Sequence, residues 1–317
     1  MNDKILQVTD LKKYYGPVRA VDGVSFCVER GTTMGLVGES GCGKSTTGRL
    51  ALRLAGEKTG GQVLFNGQDI YALSPKKLRS LRPKMQIIFQ DPFSSLSPRM
   101  SVGRIIGEGA LVHKLVPPKE LDGYVDSIME QCGLQPHHKN RYPHQFSGGQ
   151  RQRICIARAL AMQPEFMVCD EAVSALDVSV QAQIVNLLQG LQEKKGLSYL
   201  FISHDLSVVE HICHTVGVMY LGKMVEYAPT DALFSQPLHP YTRALLSAIP
   251  MPDLDVKMER SALRGSLPSP ADPPAGCPFH TRCPQAKKRC AEEKPAWQEV
   301  APDHFCACHL YNEKGTA

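Results

Sequence analysis

Residues Gly38-Glu39-Ser40-Gly41-Cys42-Gly43-Lys44-Ser45 read GxxxxGKS, the spacing of a Walker A phosphate loop. Its chemistry is anion binding. Glycines let backbone N–H groups curl around phosphate oxygens with no Cβ in the way. Lys44 is placed to reach the β- and γ-phosphates of a nucleotide and Ser45 to offer an oxygen to Mg²⁺. Four further sites could join that chemistry. Asp170-Glu171 is an acidic pair in Walker B arrangement: Asp170 to hold Mg²⁺, Glu171 to polarise an attacking water. Gln90 is an amide able to reach a metal or a water. His204 could sense a γ-phosphate. Ser147-Gly148-Gly149-Gln150 pairs a good N-cap with two glycines, so a second anion-binding helix start is expected in the same chain.

The elements around these residues set the terms. Met34 to Val37, an apolar run, precedes the phosphate loop as a strand, and Ser45 to Ala55 follows as a helix. Met85 to Phe89, Phe166 to Cys169 and Ser198 to Ile202 are strands ending at Gln90, Asp170-Glu171 and Ser203-His204. Ligand chemistry in open α/β sheets gathers at that edge. Ile5 to Val8 and Val24 to Val28 read as strands bracketing a turn at Tyr15-Gly16-Pro17. Tyr14 and Tyr15 stand before that turn, and either ring could stack on adenine or pack in the sheet. Gly60-Gly61, a strand from Val63 to Phe65 and a turn at Asn66-Gly67 come next, and the Lys/Arg-rich stretch up to Lys84 reads as an exposed connector. Residues 99–163 are expected to be helical and to form an insert. There Leu121, Val125, Ile128, Met129 and Cys132 share one helix face, and Gly133 closes it. Gln150 to Met162 and Ser174-Ala175-Leu176-Asp177 through Leu191 are further helices, the latter with Val180, Ile184 and Leu187-Leu188 inward. Val216 to Met219 and Met224 to Tyr227 form a hairpin turning at Gly222. His239 to Ile249 is a short helix, and Pro268 to Pro274 a stiff linker.

A chain of 317 residues is long enough for about two domains. Hydrophobic content of 43% and charge of 21% are those of a globular protein, and a net charge of +5 without a basic stripe does not point to nucleic acid. No apolar run approaches a membrane span, and Met1 to Asp10 carries no signal-peptide core. A cytosolic chain is therefore expected, with any membrane work done through partners. Of 11 cysteines, Cys27, Cys42, Cys132, Cys155, Cys169 and Cys213 are scattered in mostly apolar or helical contexts. The rest crowd between Cys277 and Cys308, a cluster that reads as metal-binding before disulfide in a reducing compartment. Cys277, Cys283, Cys290 and Cys308 are separated by five, six and seventeen residues. No CxxC pair is present, so a zinc ribbon is not matched, whereas four thiolates suit a [4Fe–4S] cluster. Iron–sulfur, zinc and unliganded thiols all stay open on spacing alone.

Taken together, these motifs resemble an ABC ATPase subunit over nearly the whole chain. Gly38 to Ser45 match Walker A, with Gly38, Ser40, Gly41, Cys42, Gly43, Lys44, Ser45 and Thr46 as nucleotide contacts. Gln90 matches the Q-loop, Ser147 to Gln150 the signature, Asp170-Glu171 Walker B and its catalytic glutamate, Ser174 to Asp177 the D-loop, His204 the switch histidine, and Tyr15 the adenine platform. One departure is Ala172, where the family usually has proline; alanine should leave the carboxylates usable. The stretches Phe89 to Pro98, Arg141 to Ser147, His204 to Val209, Leu238 to Thr242 and Gly276 to Cys283 narrow the resemblance to ATP-binding subunits of bacterial dipeptide and oligopeptide importers, closest to the second ATPase of such a pair.

The resemblance implies an α/β fold, an ABC-type P-loop NTPase core with a helical insert and a small cysteine-containing C-terminal extension. Its domains would be 1–230, with RecA-like core 1–90 and 164–230 and helical subdomain 91–163, and then the extension 231–317. ATP and Mg²⁺ are the implied ligands, with Ser45, Gln90 and Asp170 on the metal, Glu171, His204 and Gln90 catalytic, and Asp177 also at the nucleotide. A head-to-tail dimer with a paralogue or a second copy would cover each ATP with the partner's signature helix. Two permease subunits, an indirect periplasmic or lipid-anchored solute-binding protein and a peripheral place on the cytoplasmic face of the inner membrane follow, with no nucleic acid. A comparable cysteine set in related subunits implies a cluster on Cys277, Cys283, Cys290 and Cys308, the last because Ala307-Cys308-His309 fits the family ending better than Cys306. Related importers move nickel complexes or glutathione, so the solute is open. A soluble ABC ATPase of DNA repair or translation would be expected to carry a long coiled coil or two cassettes, and this chain has neither. A nucleotide-dependent regulatory or metal-sensing protein is suggested only by the tail, and Glu171 with His204 argues for turnover instead.

Overall fold

The computed structural model describes residues 3–248 and 265–311. In chain order these run β1 (Lys4–Tyr15), β2 (Val18–Glu29), β3 (Thr33–Val37), α1 (Lys44–Ala51), β4 (Gly60–Phe65), β5 (Gln68–Asp69), α2 (Pro75–Leu81), β6 (Met85–Ile88) and α3 (Pro92–Ser95). Then follow α4 (Val102–Val112), α5 (Leu121–Gln131), α6 (Gly148–Leu160), β7 (Phe166–Asp170), α7 (Val178–Lys195), β8 (Ser198–Ile202) and α8 (Leu206–Ile212). The chain ends in β9 (Thr215–Tyr220), β10 (Lys223–Pro229), α9 (Thr230–Ser235), α10 (Pro240–Leu246), α11 (Lys288–Glu292), β11 (Gln298–Ala301) and β12 (His304–Cys306). It divides into two compact units. Of the described residues, the first holds 3–5, 28–32 and 72–202; the second holds 6–27, 33–71, 203–248 and 265–311.

In the first unit β6, β7 and β8 form a parallel ladder, Ile88 opposite Cys169 and Asp170 opposite Ile202. β7 and β8 are buried along their whole length, which is why they read as unbroken apolar runs and not as alternating ones. The helical insert packs α4, α5 and α6 on one another. On α5, Val125, Ile128 and Met129 are buried; Cys132 caps the helix and Gly133 follows in the left-handed conformation. Gly107 on α4 lies where a Cβ would press on Val125 and Leu121, so the two helices meet closely there.

In the second unit β3 runs parallel to β9, with Met34 opposite Thr215 and Val37 opposite Val218. β9 and β10 form an antiparallel hairpin through Leu221 and Gly222, both at positive φ, and β12 pairs with β10 and β11. The extension is anchored on Glu226 of β10, a fully buried carboxylate. It accepts the N–H groups of Leu238 (2.7 Å) and His239 (2.9 Å) and lies 2.7 Å from His304 Nε2. β1, β4 and β5 make an antiparallel ladder closed by Asn66-Gly67, both at positive φ as a tight hairpin turn needs.

Several expected boundaries move. The first two strands are 12 residues each, and β1 takes in Tyr14 and Tyr15 after an irregularity between Thr9 and Lys12, where Asp10 adopts φ 47°. The helix after the phosphate loop stops at Ala51, because Arg53 turns left-handed. Part of the basic stretch before Lys84 is a helix, α2, started by Ser74 and Pro75; all its residues stay accessible, so its charges are those of a solvated face. α7 starts after Asp177 and runs to Lys195, with Ile184, Val185, Leu188 and Leu191 buried. α10 ends at Leu246, and Ile249 lies outside the described residues.

Candidate functional site

In the second unit the five residues of β3 are all buried and deliver the chain into the loop at Gly38. Gly38 (φ 146°) and Gly43 (φ 105°) sit where a Cβ would fall on the carbonyl oxygens of Met219 and Ala20, so glycine is required at both. Gly43 is the N-cap of α1 and no side chain caps that helix, which leaves its first N–H groups to an anion. Lys44 is 4% exposed, and its ammonium donates to the carbonyls of Gly38 (2.7 Å) and Glu39 (3.1 Å). Ser45 and Thr46 are half-buried at the helix start, Ser40 and Gly41 are exposed, and Cys42 is buried with its thiol pushed up by desolvation. Tyr15 is 49% exposed, with Lys13 Nζ 4.8 Å from its ring centre. The Ser203 N–H donates to Leu36 O (3.2 Å), so the exposed His204 leaves the sheet beside the end of β3.

In the first unit Asp170 is buried at the C-terminal end of β7 and Glu171 follows at φ 49°. That left-handed turn is uncommon for glutamate. It is held by the Glu171 N–H donating to Ile202 O (3.0 Å) and by Ser174 Oγ donating to Glu171 O (3.0 Å). The ladder sets Ile88 opposite Cys169, so two residues further on Gln90 faces Glu171, and Gln90 Nε2 donates to Glu171 Oε2 at 2.8 Å. Ser147 and Gln150 cap each other: Ser147 Oγ accepts from the Gln150 N–H (3.3 Å) and Gln150 Oε1 from the Ser147 N–H (3.1 Å). Gly148 and Gly149 open α6 half-exposed, and a Cβ on Gly149 would collide with Val180 of α7. Asp177 caps α7, accepting from the Val180 N–H (3.0 Å) and Ser179 Oγ (2.7 Å), and these bonds draw its carboxyl below the usual range. Ala172, the departure from the family pattern, is buried and leaves the Gln90–Glu171 pair formed.

The structure brings Cys277, Cys283, Cys290 and Cys308 to the lining of one small cavity, with His280 and His309 beside them. Cys306 instead faces the core on β12, opposite Glu226. The Cys277 N–H donates to Cys290 O (2.8 Å), tying two arms of the cluster. Burial pushes the Cys277 thiol up to about 11 and raises Cys283 as well, while the hydrogen bond to Cys306 lowers Cys308. Among the described residues no group of three or more His, Cys, Asp or Glu is set to hold a metal ion. The four cysteines share the cavity lining, but they are not arranged in a ligand geometry.

One contact had no sequence signal. Arg282, inside the cysteine stretch, forms an ion pair with Glu39 of the phosphate loop, 243 residues away along the chain. Both residue types look like ordinary surface charges until the fold pairs them.

Two family models match the chain: ABC transporter over residues 21–174, and the C-terminal region of oligopeptide/dipeptide transporters over residues 225–290. The oligopeptide transport ATP-binding protein AppF of Bacillus subtilis is 54% identical, the match covering 98% of both chains. A putative peptide import ATP-binding protein of Brucella ovis is 54% identical over 96% of this chain and 97% of its own. Among solved structures, cbiO1 of Clostridium perfringens, part of the ABC transporter complex cbiONQ, superposes with a TM-score of 0.68 at 30% identity, over 74% of this chain and 92% of its own. The dimeric ADP- and Pi-bound cassette MJ0796 shares the fold, with a TM-score of 0.65 at 24% identity, over 71% of this chain and 98% of its own. With the phosphate loop, the Gln90–Glu171 pair and the self-capped Ser147 helix all in place, the chain belongs to the ABC transporter family of ATP-binding proteins.

Proposed function

We propose that the chain is the ATP-hydrolysing subunit of an ABC importer that carries dipeptides or oligopeptides across the cell membrane. What carries this reading is identity of 54% to an oligopeptide transport ATP-binding protein along essentially the whole of both chains, extension included. ATP is the substrate. The α1 start and Lys44 hold its phosphates; Ser45, Asp170 and Gln90 are the residues for Mg²⁺; Tyr15 stacks the adenine. Glu171 polarises the attacking water, with Gln90 orienting its carboxylate in the meantime, and His204 reads the γ-phosphate. The α6 start, Ser147 to Gln150, serves the nucleotide of a partner subunit in a head-to-tail pair, and Asp177, the cap of α7, is read as a further nucleotide contact.

The domains are read as an ATPase domain, 1–230, with core 1–90 and 164–230 and helical subdomain 91–163, followed by the extension 231–317. No helix among the described residues is long and apolar enough to cross a membrane. The importer reading assigns translocation to two permease subunits. The chain then sits at the cytoplasmic face, paired with a paralogous ATPase or a second copy and served indirectly by a solute-binding protein. The four-cysteine cavity is the place for a [4Fe–4S] cluster, whose thiolates Cys277, Cys283, Cys290 and Cys308 would supply. Anaerobically purified protein that is brown and iron-loaded supports that assignment; colourless, iron-free protein removes it.

The test of the function is affinity purification from detergent-solubilised membranes with mass spectrometry of the co-purifying chains, alongside peptide uptake by cells lacking this subunit. Recovery of two permeases and loss of uptake are expected. Recovery from the soluble fraction alone, with uptake intact, overturns the reading.

A further inference from the structure

We propose that Arg282 is a positioning residue for the phosphate loop, acting through Glu39, and that bracing this loop is a task of the cysteine-bearing extension. The proposal rests on the reading of Gly38 to Ser45 as the ATP site. Glu39 is gripped at three points. Its carboxylate is taken in a fork by Arg282, Nη1 to Oε2 at 2.6 Å and Nη2 to Oε1 at 2.9 Å. Its N–H donates to Tyr241 Oη at 2.8 Å. Its carbonyl accepts from Lys44 Nζ at 3.1 Å. Two of the three holders come from the extension; the third is the lysine that reaches for phosphate.

The Arg282 side chain is only 5% exposed, and a buried guanidinium is tolerated when a carboxylate answers it with both oxygens. A two-point bond fixes direction as well as distance, which one ammonium could not do. The holders are themselves fixed. Tyr241 packs edge-on against Tyr220 with ring centres 4.8 Å apart, and Phe279, three residues before Arg282, lies 5.3 Å from both rings. The Arg282 guanidinium lies 5.9 Å from the Tyr220 ring centre. A loop ordered in advance gives up less entropy when ATP arrives, so the brace should act on nucleotide affinity and leave Glu171, just past the end of β7, to its own step.

The experiment uses the full chain with its importer partners for hydrolysis, and MgADP for direct binding. Arg282→Gln and Glu39→Gln are each expected to raise the MgADP Kd and the ATP KM by roughly tenfold, with kcat changing by less than about threefold. The double variant should be no weaker than either single one, because both remove the same bond. Arg282→Lys should recover only part of the affinity, since it restores charge without the fork. Wild-type affinity in Glu39→Gln, or losses that multiply in the double variant, overturns the proposal; a lower melting temperature at unchanged Kd does the same, marking Arg282 as a fold staple only. Should Arg282→Gln not fold, Glu39→Gln decides alone. Lys44→Ala separates the two levels: if it binds MgADP as tightly as wild type, the ATP-site reading itself fails and takes the brace with it.

Discussion

The Glu171 carboxylate is placed both by its backbone and by Gln90. Its φ of 49° turns it off the end of β7, and Gln90 takes one oxygen at 2.8 Å. A glutamine in its place could keep that contact and the fold but cannot take a proton from water. Glu171→Gln is therefore expected to bind MgATP normally and to lose about 10²–10⁴ in turnover, read by phosphate release under saturating ATP. Hydrolysis at the wild-type rate would remove Glu171 from the base role. Gly43→Ala is expected to abolish nucleotide binding, because the methyl group would meet Ala20 O at a backbone angle that alanine avoids; a filter-binding assay checks this.

Among the elements, two helices show what their caps hold. α6 begins with a reciprocal Ser147–Gln150 cap, at the start proposed to face a partner's nucleotide. Ser147→Ala should cost about 1 kcal/mol of stability by chemical denaturation. α10 begins at His239, whose Nδ1 accepts the Tyr241 N–H at 3.1 Å and must stay unprotonated to do so. Burial holds His239 down to about 4, against 6.5 for the ordinary group. Above about pH 6.5 it is neutral whether folded or unfolded and costs nothing. Between about 6.5 and 4 only the unfolded chain takes the proton, so stability falls as pH falls, by up to about 3 kcal/mol. His239→Asn keeps a capping oxygen without the titration, and its urea stability should fall less between pH 7 and pH 5 than that of wild type.

For the whole molecule, the tail and the phosphate loop share one compact unit, and Glu226 is where the tail is pinned. Glu226→Ala leaves two N–H groups and His304 facing a hole, at about 1–3 kcal/mol for each orphaned group. Limited proteolysis should then cut the extension first, and MgADP affinity should fall with it, since Arg282 and Tyr241 reach Glu39 from there. The proposed head-to-tail pair gives a prediction at the same scale. Glu171→Gln with MgATP, together with its partner ATPase, should shift to a dimer in light scattering and return to monomer when ATP is removed.

Sequence alone determined whatever depends on short-range pattern. The phosphate loop needs its glycines at fixed offsets, and buried parallel strands must be apolar throughout. Candidate side chains sit at or just past the ends of such strands, so the places of Gln90, Asp170-Glu171 and His204, and of Lys44 after the loop, could be read from spacing. The Ser147 helix start was legible because a cap is a contact over three residues. Boundaries were less so: β1 extends past an irregularity at Asp10, and a basic surface run is the helix α2, since ladder pairing and capping override local composition. Only the tertiary structure decided what long-range contact decides. It brought four spread cysteines to one cavity, buried Glu226 under the tail and closed Arg282 on Glu39. An ion pair has no periodicity and no spacing rule, so nothing in a chain of 36 basic and 31 acidic residues marks which two will meet until the backbone has folded.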